Sequence, residues 1–311
     1  MENTSVKIVS VNISDRKGIV KSPAGYIDLD DKGVRGDAHA GNWHRQVSLL
    51  GIESMERFTA QSGREVSFGE FAENITTRGL ELADTSPLDR LVSGNTELEI
   101  TQIGKKCHGK TCAILKETGD CVMPREGIFA RVISGGRLKA GDTIEYRPWK
   151  FRFLIITLSD RASRGEYEDK SGPAINRVLT DHFGLGKRGI IIENAIIPDD
   201  ELQLRMLLGR GKQDFDFILT TGGTGVGMRD ISPDVVRPML DKEIPGIMEM
   251  IRVKYGESKP NALLSRGVAG LMGNTFVYTL PGSVKAVNEY MSEIIKTMEH
   301  LVYMLHGLDN H

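Results

Sequence analysis

The sequence predicts a two-part fold: an N-terminal β-rich barrel over residues 1–148, then a three-layer α/β/α domain with a mostly parallel sheet over residues 149–311. Three observations predict it. The chain has 311 residues, enough for two domains of ordinary size. Hydrophobic residues make up 40% and charged residues 26%, the balance of a globular chain and not of a disordered one. The texture also changes near residue 148, from short β-rich runs broken by turns to an alternation of strand and helix.

In the first half, Val6–Val11, Glu97–Ile103, Gly127–Val132 and Asp142–Tyr146 alternate or are β-branched, and read as strands. Turn signals separate them: Ser22-Pro23-Ala24-Gly25, Asp31-Lys32-Gly33, Ser93-Gly94-Asn95 and Ser134-Gly135-Gly136. One helix is expected around Gly51–Gln61. A barrel is the natural way to bury such strands. The linker Tyr146-Arg147-Pro148-Trp149-Lys150 is short.

In the second half, strands are expected at Phe153–Leu158, Gly189–Ile197, Phe215–Thr221 and Phe276–Leu280. Helices are expected at Pro173–Phe183, Asp200–Leu208 and Val284–Leu305. Ser232 followed by Pro233 predicts a further helix start, with Ser232 as its cap. Strand–helix alternation argues for a parallel sheet with helices on both faces.

Composition excludes several classes. Lys plus Arg is 40 against 42 Asp plus Glu, a net charge of −2, so no global field favours nucleic acid or an anionic membrane. The three cysteines, Cys107, Cys112 and Cys121, fall within 15 residues, which is not a secreted disulfide framework. The start carries no basic segment followed by a long apolar core. Gly267–Val284 runs 18 residues without a charge, but four glycines, Asn274 and Pro281 argue against a membrane span. A soluble cytoplasmic protein is expected.

The most informative segment runs from Asp216 to Asp234. A hydrophobic strand delivers the chain to Thr221-Gly222-Gly223-Thr224-Gly225, and the loop ends at a helix start. Glycines let backbone N–H groups converge, and a helix terminus adds partial positive charge, which suits an anion such as phosphate. No Gly-Lys-Ser/Thr follows, and the spacing is not a dinucleotide fingerprint. The alternative is a turn packed on neighbouring strands. Ser159-Asp160-Arg161, Pro198-Asp199-Asp200 and Pro281-Gly282-Ser283 also follow strands directly, so these turns gather at the carboxyl edge of the sheet.

On these strings, together with Asp169-Lys170-Ser171-Gly172, Arg229-Asp230, Pro245-Gly246 and Leu264-Ser265-Arg266, residues 151–311 resemble the molybdopterin adenylyltransferase family, the domain shared by bacterial molybdenum-cofactor enzymes, plant Cnx and gephyrin. The resemblance implies adenylylation of the terminal phosphate of molybdopterin with ATP and Mg²⁺. It assigns Asp230 as the essential carboxylate and metal contact, and Asp199 as a second carboxylate, with Asp200 as the alternative. Binding of the pterin and nucleotide is implied for Ser159, Asp160, Arg161, Thr221, Gly222, Gly223, Thr224, Gly225, Ser265, Arg266, Pro281, Gly282 and Ser283. Arg161 and Arg266 are the expected anion contacts, and Lys285 either meets phosphate or is solvated. The stretch Gly225-Val226-Gly227-Met228 departs from the family's usual Gly-Pro/Ala form.

Residues 1–148 resemble the MOSC domain, named for the C-terminal domain of molybdenum-cofactor sulfurase. Gly36-Asp37-Ala38-His39-Ala40-Gly41, His44-Arg45-Gln46-Val47-Ser48, Phe68–Thr76, Ile103–His108 and Gly119–Met123 carry the resemblance. It implies a β-barrel that binds molybdenum cofactor or carries sulfur for it, with Cys107 as the reactive thiol. Lys105, Lys106 and His108 flank Cys107, and nearby positive charge favours thiolate. A buried inert thiol is the alternative, and Cys112 and Cys121 are expected to be structural. Zinc is disfavoured, because the cysteines lack a Cys-x2-Cys pair. His39 and His44 either line a cleft or cap turns. Arg35 and Arg45 are expected anion contacts, and Asn74 fixes the pocket or closes a turn. Family members usually carry Gly before Glu-Asn, where this chain has Ala72.

Both halves thus point to one pathway, molybdenum cofactor biosynthesis. The alternatives are a non-catalytic carrier or scaffold, and a barrel that reduces N-hydroxylated substrates with a redox partner. The resemblance further implies a homo-oligomer, a trimer, and molybdate-insertion and sulfur-donor proteins as partners, with neither nucleic acid nor membrane.

Overall fold

The structure is a computed structural model that describes residues 4–105, 121–184, 186 and 188–308. The chain divides into two compact units between Trp149 and Lys150.

The first unit holds strands β1 (Thr4–Ile13), β2 (Ser22–Ala24), β3 (Ile27–Asp30), β4 (Gly33–Val34) and β5 (Val47–Gly51), then helix α1 (Ile52–Ser62). Strands β6 (Ile75–Arg78), β7 (Arg90–Ser93), β8 (Thr96–Ile103), β9 (Ile128–Ser134), β10 (Gly136–Leu138) and β11 (Thr143–Arg147) follow. The order β11-β7-β8-β9-β5-β6-β1 returns to β11, so among the described residues seven strands close a barrel. Closure removes the unpaired edges that a flat sheet would expose. All neighbours are antiparallel except β5 and β6. Strand alternation sends Val6, Ile8, Leu49, Leu98, Ile100, Ile128 and Ile144 inward to one core. β3, β4 and β10 form a separate small sheet.

The second unit holds β12 (Lys150–Leu158), α2 (Asp160–Ser163), α3 (Ser171–Gly184), β13 (Gly189–Ile197), α4 (Glu201–Asp214) and β14 (Phe217–Thr221). These are followed by α5 (Ser232–Val236), β15 (Lys242–Glu243), α6 (Pro245–Gly256), β16 (Ala269–Met272), β17 (Thr275–Leu280) and α7 (Val284–Leu305). The sheet order is β13-β12-β14-β17-β16-β15. The first four strands are parallel, and β16 and β15 continue the edge antiparallel. On β12, Leu154, Ile156 and Leu158 join Leu204 and Leu208 of α4 in one core. Phe151 and Phe153 point the other way and meet the ring of Phe183 of α3 at 5.5 and 5.7 Å. The buried runs of β12 and β14 therefore have helices on both sides, as a parallel sheet requires.

Two expectations need correction. Helix α4 continues past Leu208 through Gly209 and Gly211 to Asp214. Gly211 is a packing residue and not a stop, since a Cβ there would lie 2.6 Å from Ile218 Cδ1. Ser232 is not the cap of α5: Ile231 holds that position, and no side chain caps the helix. The Ser232 hydroxyl instead donates to the Gly222 carbonyl at 2.6 Å, tying the helix start to the glycine loop. Among the described residues no helix is long and apolar enough to cross a membrane.

Candidate functional site

Four parallel strands of the second unit end on one side of the sheet, and their turns are joined by hydrogen bonds. The Asp160 N–H donates to Asp199 Oδ2 at 3.4 Å, and the Asp199 N–H donates to Asp160 Oδ1 at 3.2 Å. Gly222 N–H donates to the Leu280 carbonyl at 2.9 Å, and the Thr221 hydroxyl to the Pro281 carbonyl at 2.9 Å. Ser159 caps α2 by accepting from the Ala162 N–H at 3.2 Å, and Ser283 caps α7 by accepting from Ala286 at 3.3 Å. The turns after β12, β13, β14 and β17 thus form one connected rim.

Glycine is required at two points of the central loop. Gly222 has φ +102°, and a Cβ there would sit 2.4 Å from the Leu158 carbonyl oxygen. Gly223 has φ +64° beside Ser232. Further on, the Gly227 N–H donates to Asp230 Oδ2 at 2.7 Å, so that oxygen shapes the loop. Asp230 Oδ1 accepts no bond among the described residues.

Arg266 braces the same loop. Its Nε donates to the Gly225 carbonyl at 2.6 Å, Nη2 to the Asp230 carbonyl at 2.6 Å, and Nη1 to both oxygens of Asp234 at 2.8 and 2.9 Å. Its guanidinium therefore holds the scaffold. Arg161 is exposed, with its guanidinium 5.4 Å from the ring centre of Tyr167. Ser265 lies beside the rim, and its hydroxyl accepts from the Gly267 N–H at 3.4 Å. Lys285 is exposed.

The adjacent aspartates left open by the sequence part company. Asp200 caps α4, accepting from the Gln203 N–H at 2.8 Å. Asp199 faces Asp160, and burial raises its pKa above the ordinary value, with the charges of Asp160 and Asp230 adding to the rise. The charge of Arg229 opposes the rise. Among the described residues no three His, Cys, Asp or Glu side chains are placed to hold a metal by themselves.

Two residues of this rim, Arg229 and Asp169, stand in the sequence only within longer motif strings, with no role of their own. Arg229 forms an ion pair with Asp160. Asp169 accepts from the hydroxyls of Thr157 and Ser171, both at 2.7 Å, and from the Ser171 N–H at 2.8 Å. Burial pushes its pKa up, but these bonds outweigh burial and hold it below the ordinary value. It anchors the start of α3.

In the barrel, Asp37 is the centre of a buried network. It pairs with Lys21 and accepts from Asn74 Nδ2 at 2.9 Å, the Ser14 N–H at 3.2 Å and the His39 N–H at 2.9 Å. The His39 ring lies 3.2 Å away through Nδ1. Burial opposes the Asp37 charge, but His39 and Lys21 prevail, and its pKa lies far below the usual range. Burial lowers the Lys21 pKa despite Asp37. Neighbouring Glu73 is fully buried, and burial raises its pKa although it accepts from Gly69 and Thr76. Asn74 therefore fixes this network: its Oδ1 accepts from both the N–H and the hydroxyl of Ser48. Lys21 and Glu73 were not singled out in the sequence, where a lone Lys and a lone Glu look solvated.

Arg45 lies 5.0 Å from the Trp43 ring centre and 6.0 Å from that of Phe129, and Lys105 lies 5.8 Å from Phe129. No acidic side chain pairs with Arg45 among the described residues. Arg35 instead pairs with Asp30 at 3.0 Å. Burial lowers the His44 pKa, helped by Arg45 and Arg131. Cys107, Cys112, Lys106 and His108 lie outside the described residues, and Cys121 is buried. Ala72, in the place where Gly is usual, has φ +63°, the left-handed region that favours glycine.

The site in the second unit is of the kind that open α/β sheets use for phosphorylated ligands: a glycine loop and carboxylates beyond the strand ends. The model of the probable molybdopterin binding domain matches residues 154–300, and that of the MOSC domain matches residues 36–145. A molybdopterin adenylyltransferase of Pyrococcus furiosus is 38% identical over 156 residues, covering 48% of this chain and 88% of that protein. The molybdenum cofactor biosynthesis bifunctional protein of Chlorobaculum tepidum is 33% identical over 184 residues, 57% of this chain and 54% of that one. The molybdenum cofactor synthesis protein cinnamon of Drosophila melanogaster is 34% identical over 155 residues, 49% of this chain, and the chain spans 25% of its length. The chain belongs to the molybdopterin-binding family of molybdenum-cofactor biosynthesis proteins, here joined to a MOSC domain.

Proposed function

We propose that the chain is a bifunctional molybdenum-cofactor biosynthesis enzyme whose second unit adenylylates molybdopterin with ATP and Mg²⁺. The observation that carries this reading is the rim itself. A glycine loop, Asp199 and Asp230 meet at the carboxyl ends of four parallel strands. In the reaction a terminal phosphate oxygen of molybdopterin attacks the α-phosphorus of ATP. The new O–P bond forms as the bond from the α-phosphorus to the bridging oxygen breaks, and pyrophosphate leaves. Such transfers ask the protein for positioning and charge, with little covalent chemistry.

The residues present fit a magnesium ion. Mg²⁺ is commonly held by one or two carboxylates with substrate phosphates and waters. Among the described residues Asp230 keeps one oxygen unbonded, and Asp199 stands beside Asp160 at the neighbouring strand ends. The metal would neutralise the triphosphate. Backbone N–H groups of Gly223, Thr224 and Gly225 orient phosphate oxygens, and Arg266 keeps that loop in shape. The barrel binds the mature or nearly mature cofactor, or carries sulfur for it at Cys107, and Arg45 is its anion contact. The assembly is a homo-oligomer, a trimer. Exposed Leu202, Met206, Met250, Val253, Leu263 and Leu264 in the second unit supply apolar surface for contact.

The test is an adenylylation assay on the full chain with molybdopterin, Mg²⁺ and ATP, read by mass analysis of the pterin. Adenylylated molybdopterin is expected, and Asp230→Asn is expected to slow its formation by about 10²–10³-fold. Bound but unchanged pterin would make the protein a carrier. Equal rates for Asp230→Asn and the native chain would remove Asp230 from the chemistry.

A further inference from the structure

We propose that Arg229 is a displaceable counter-cation. Parked on Asp160, it holds the place of the metal while the site is empty, and it moves to the triphosphate when metal and nucleotide arrive. This rests on the adenylylation reading above.

Asp160 and Asp199 exchange backbone-to-carboxylate hydrogen bonds, and Asp230 follows directly on Arg229, whose guanidinium is paired with Asp160. Among the described residues, Arg229 is the one cation in an ion pair with any of them. The two arginines at the loop differ sharply. Arg266 directs four hydrogen bonds at the loop and at Asp234, and cannot leave without dismantling it. Among the described residues the Arg229 guanidinium bonds only Asp160, and its side chain is 66% exposed. It sits at the end of a loop tip whose Val226 and Met228 are also exposed. An exposed ion pair of this kind is held weakly.

Its geometry also suits exchange. A guanidinium matches phosphate oxygens as well as carboxylate oxygens, through parallel N–H donors. A divalent metal prefers the carboxylate and brings phosphates with it. Arrival of metal–nucleotide therefore replaces one ion pair by two: metal with the carboxylates of Asp160, Asp199 and Asp230, and Arg229 with phosphate. Nucleotide without metal meets three carboxylates and is repelled. Arg229 thus couples nucleotide entry to the metal.

The exchange predicts shifts of opposite sign, measurable without turnover. The full chain is titrated with Mn²⁺ alone by electron paramagnetic resonance, and with Mn²⁺ plus a non-hydrolysable ATP analogue by calorimetry. Arg229→Gln is expected to bind Mn²⁺ alone about two- to fivefold more tightly, because a competing cation is gone. It is expected to bind the Mn²⁺–nucleotide about tenfold more weakly, because a charged phosphate contact is lost. Arg229→Lys, which keeps the charge, is expected to fall between. Thermal unfolding checks that the variants fold. A native chain that binds Mn²⁺–nucleotide, while both Arg229→Gln affinities hold or move together, overturns the exchange and leaves adenylylation standing. A native chain that binds no nucleotide overturns adenylylation, and the exchange with it.

Discussion

Asp37 of the barrel and Asp230 of the α/β unit both belong to short charged motifs, and the fold uses them in opposite ways. The Asp37 side chain has no exposed surface and accepts from Lys21, Asn74, Ser14 and His39. Every lone pair that matters is engaged inside the protein. Asp230 gives one oxygen to the Gly227 N–H and, among the described residues, keeps the other unbonded. Burial turns the first charge into a device for holding three chain segments together. Partial exposure keeps the second available to a ligand. A carboxylate in a motif therefore says little until its burial is known.

The largest effect should come from breaking the buried pair. Asp37→Asn or Lys21→Met each leaves the other charge buried and alone, and should cost about 3–5 kcal/mol. The double variant should cost less than the two single changes added. Urea unfolding followed by tryptophan fluorescence would read the first unit, since both of the chain's 2 tryptophans, Trp43 and Trp149, lie there. The pH dependence has a definite sign. The pKa of Asp37 is depressed in the folded state from an ordinary value of 3.8. Its contribution is complete above that value and drains away as pH falls toward the folded pKa. The stability gap between the native chain and Asp37→Asn should thus be constant from pH 7 to about 5 and should narrow below about 4. A gap that stays flat down to pH 2 would contradict the pairing.

A smaller effect is expected on the ligand rim. Gly222→Ala puts a Cβ at φ +102° and 2.4 Å from the Leu158 oxygen. The change should destabilise the second unit by about 1–3 kcal/mol, and phosphate-ligand affinity should fall with it. Calorimetric unfolding and nucleotide titration on one preparation would separate the two losses. Unchanged affinity would show that the loop shape does not matter to the ligand.

The smallest effect has the opposite sign. Ala72→Gly relieves a left-handed alanine and should stabilise the first unit by about 1 kcal/mol. An unchanged or lower urea midpoint would mean that the alanine methyl contributes packing worth more than the backbone strain.

Much of the architecture is legible along the chain. The long amphipathic stretch of α7 and the run of β13 have the bounds that periodicity indicates. Helix α6 and strands β15 and β16 carry no such signal. Met250 and Val253 of α6 stay exposed while Met248 and Ile251 are buried, so apolar residues occur on more than one side and blur the period. Ser232 looks like a cap because capping is a local rule, but a tertiary acceptor, the Gly222 carbonyl, takes its hydroxyl. The rim was legible as a set of turns. Its wiring was not: Arg229 reaches Asp160 across 69 positions of sequence.

The sequence by itself determined the main strand–helix alternation of the second unit, the glycine loop after β14 and the pairing of two cofactor-related domains, because these depend on local periodicity, backbone freedom and short motifs. Only the tertiary structure decided that Asp200 caps a helix while Asp199 faces Asp160. It alone decided that Arg266 braces the loop while Arg229 lies exposed, and that Lys21 is buried against Asp37. The physical reason is that desolvation and charge pairing depend on what distant segments bring near, which no local pattern encodes.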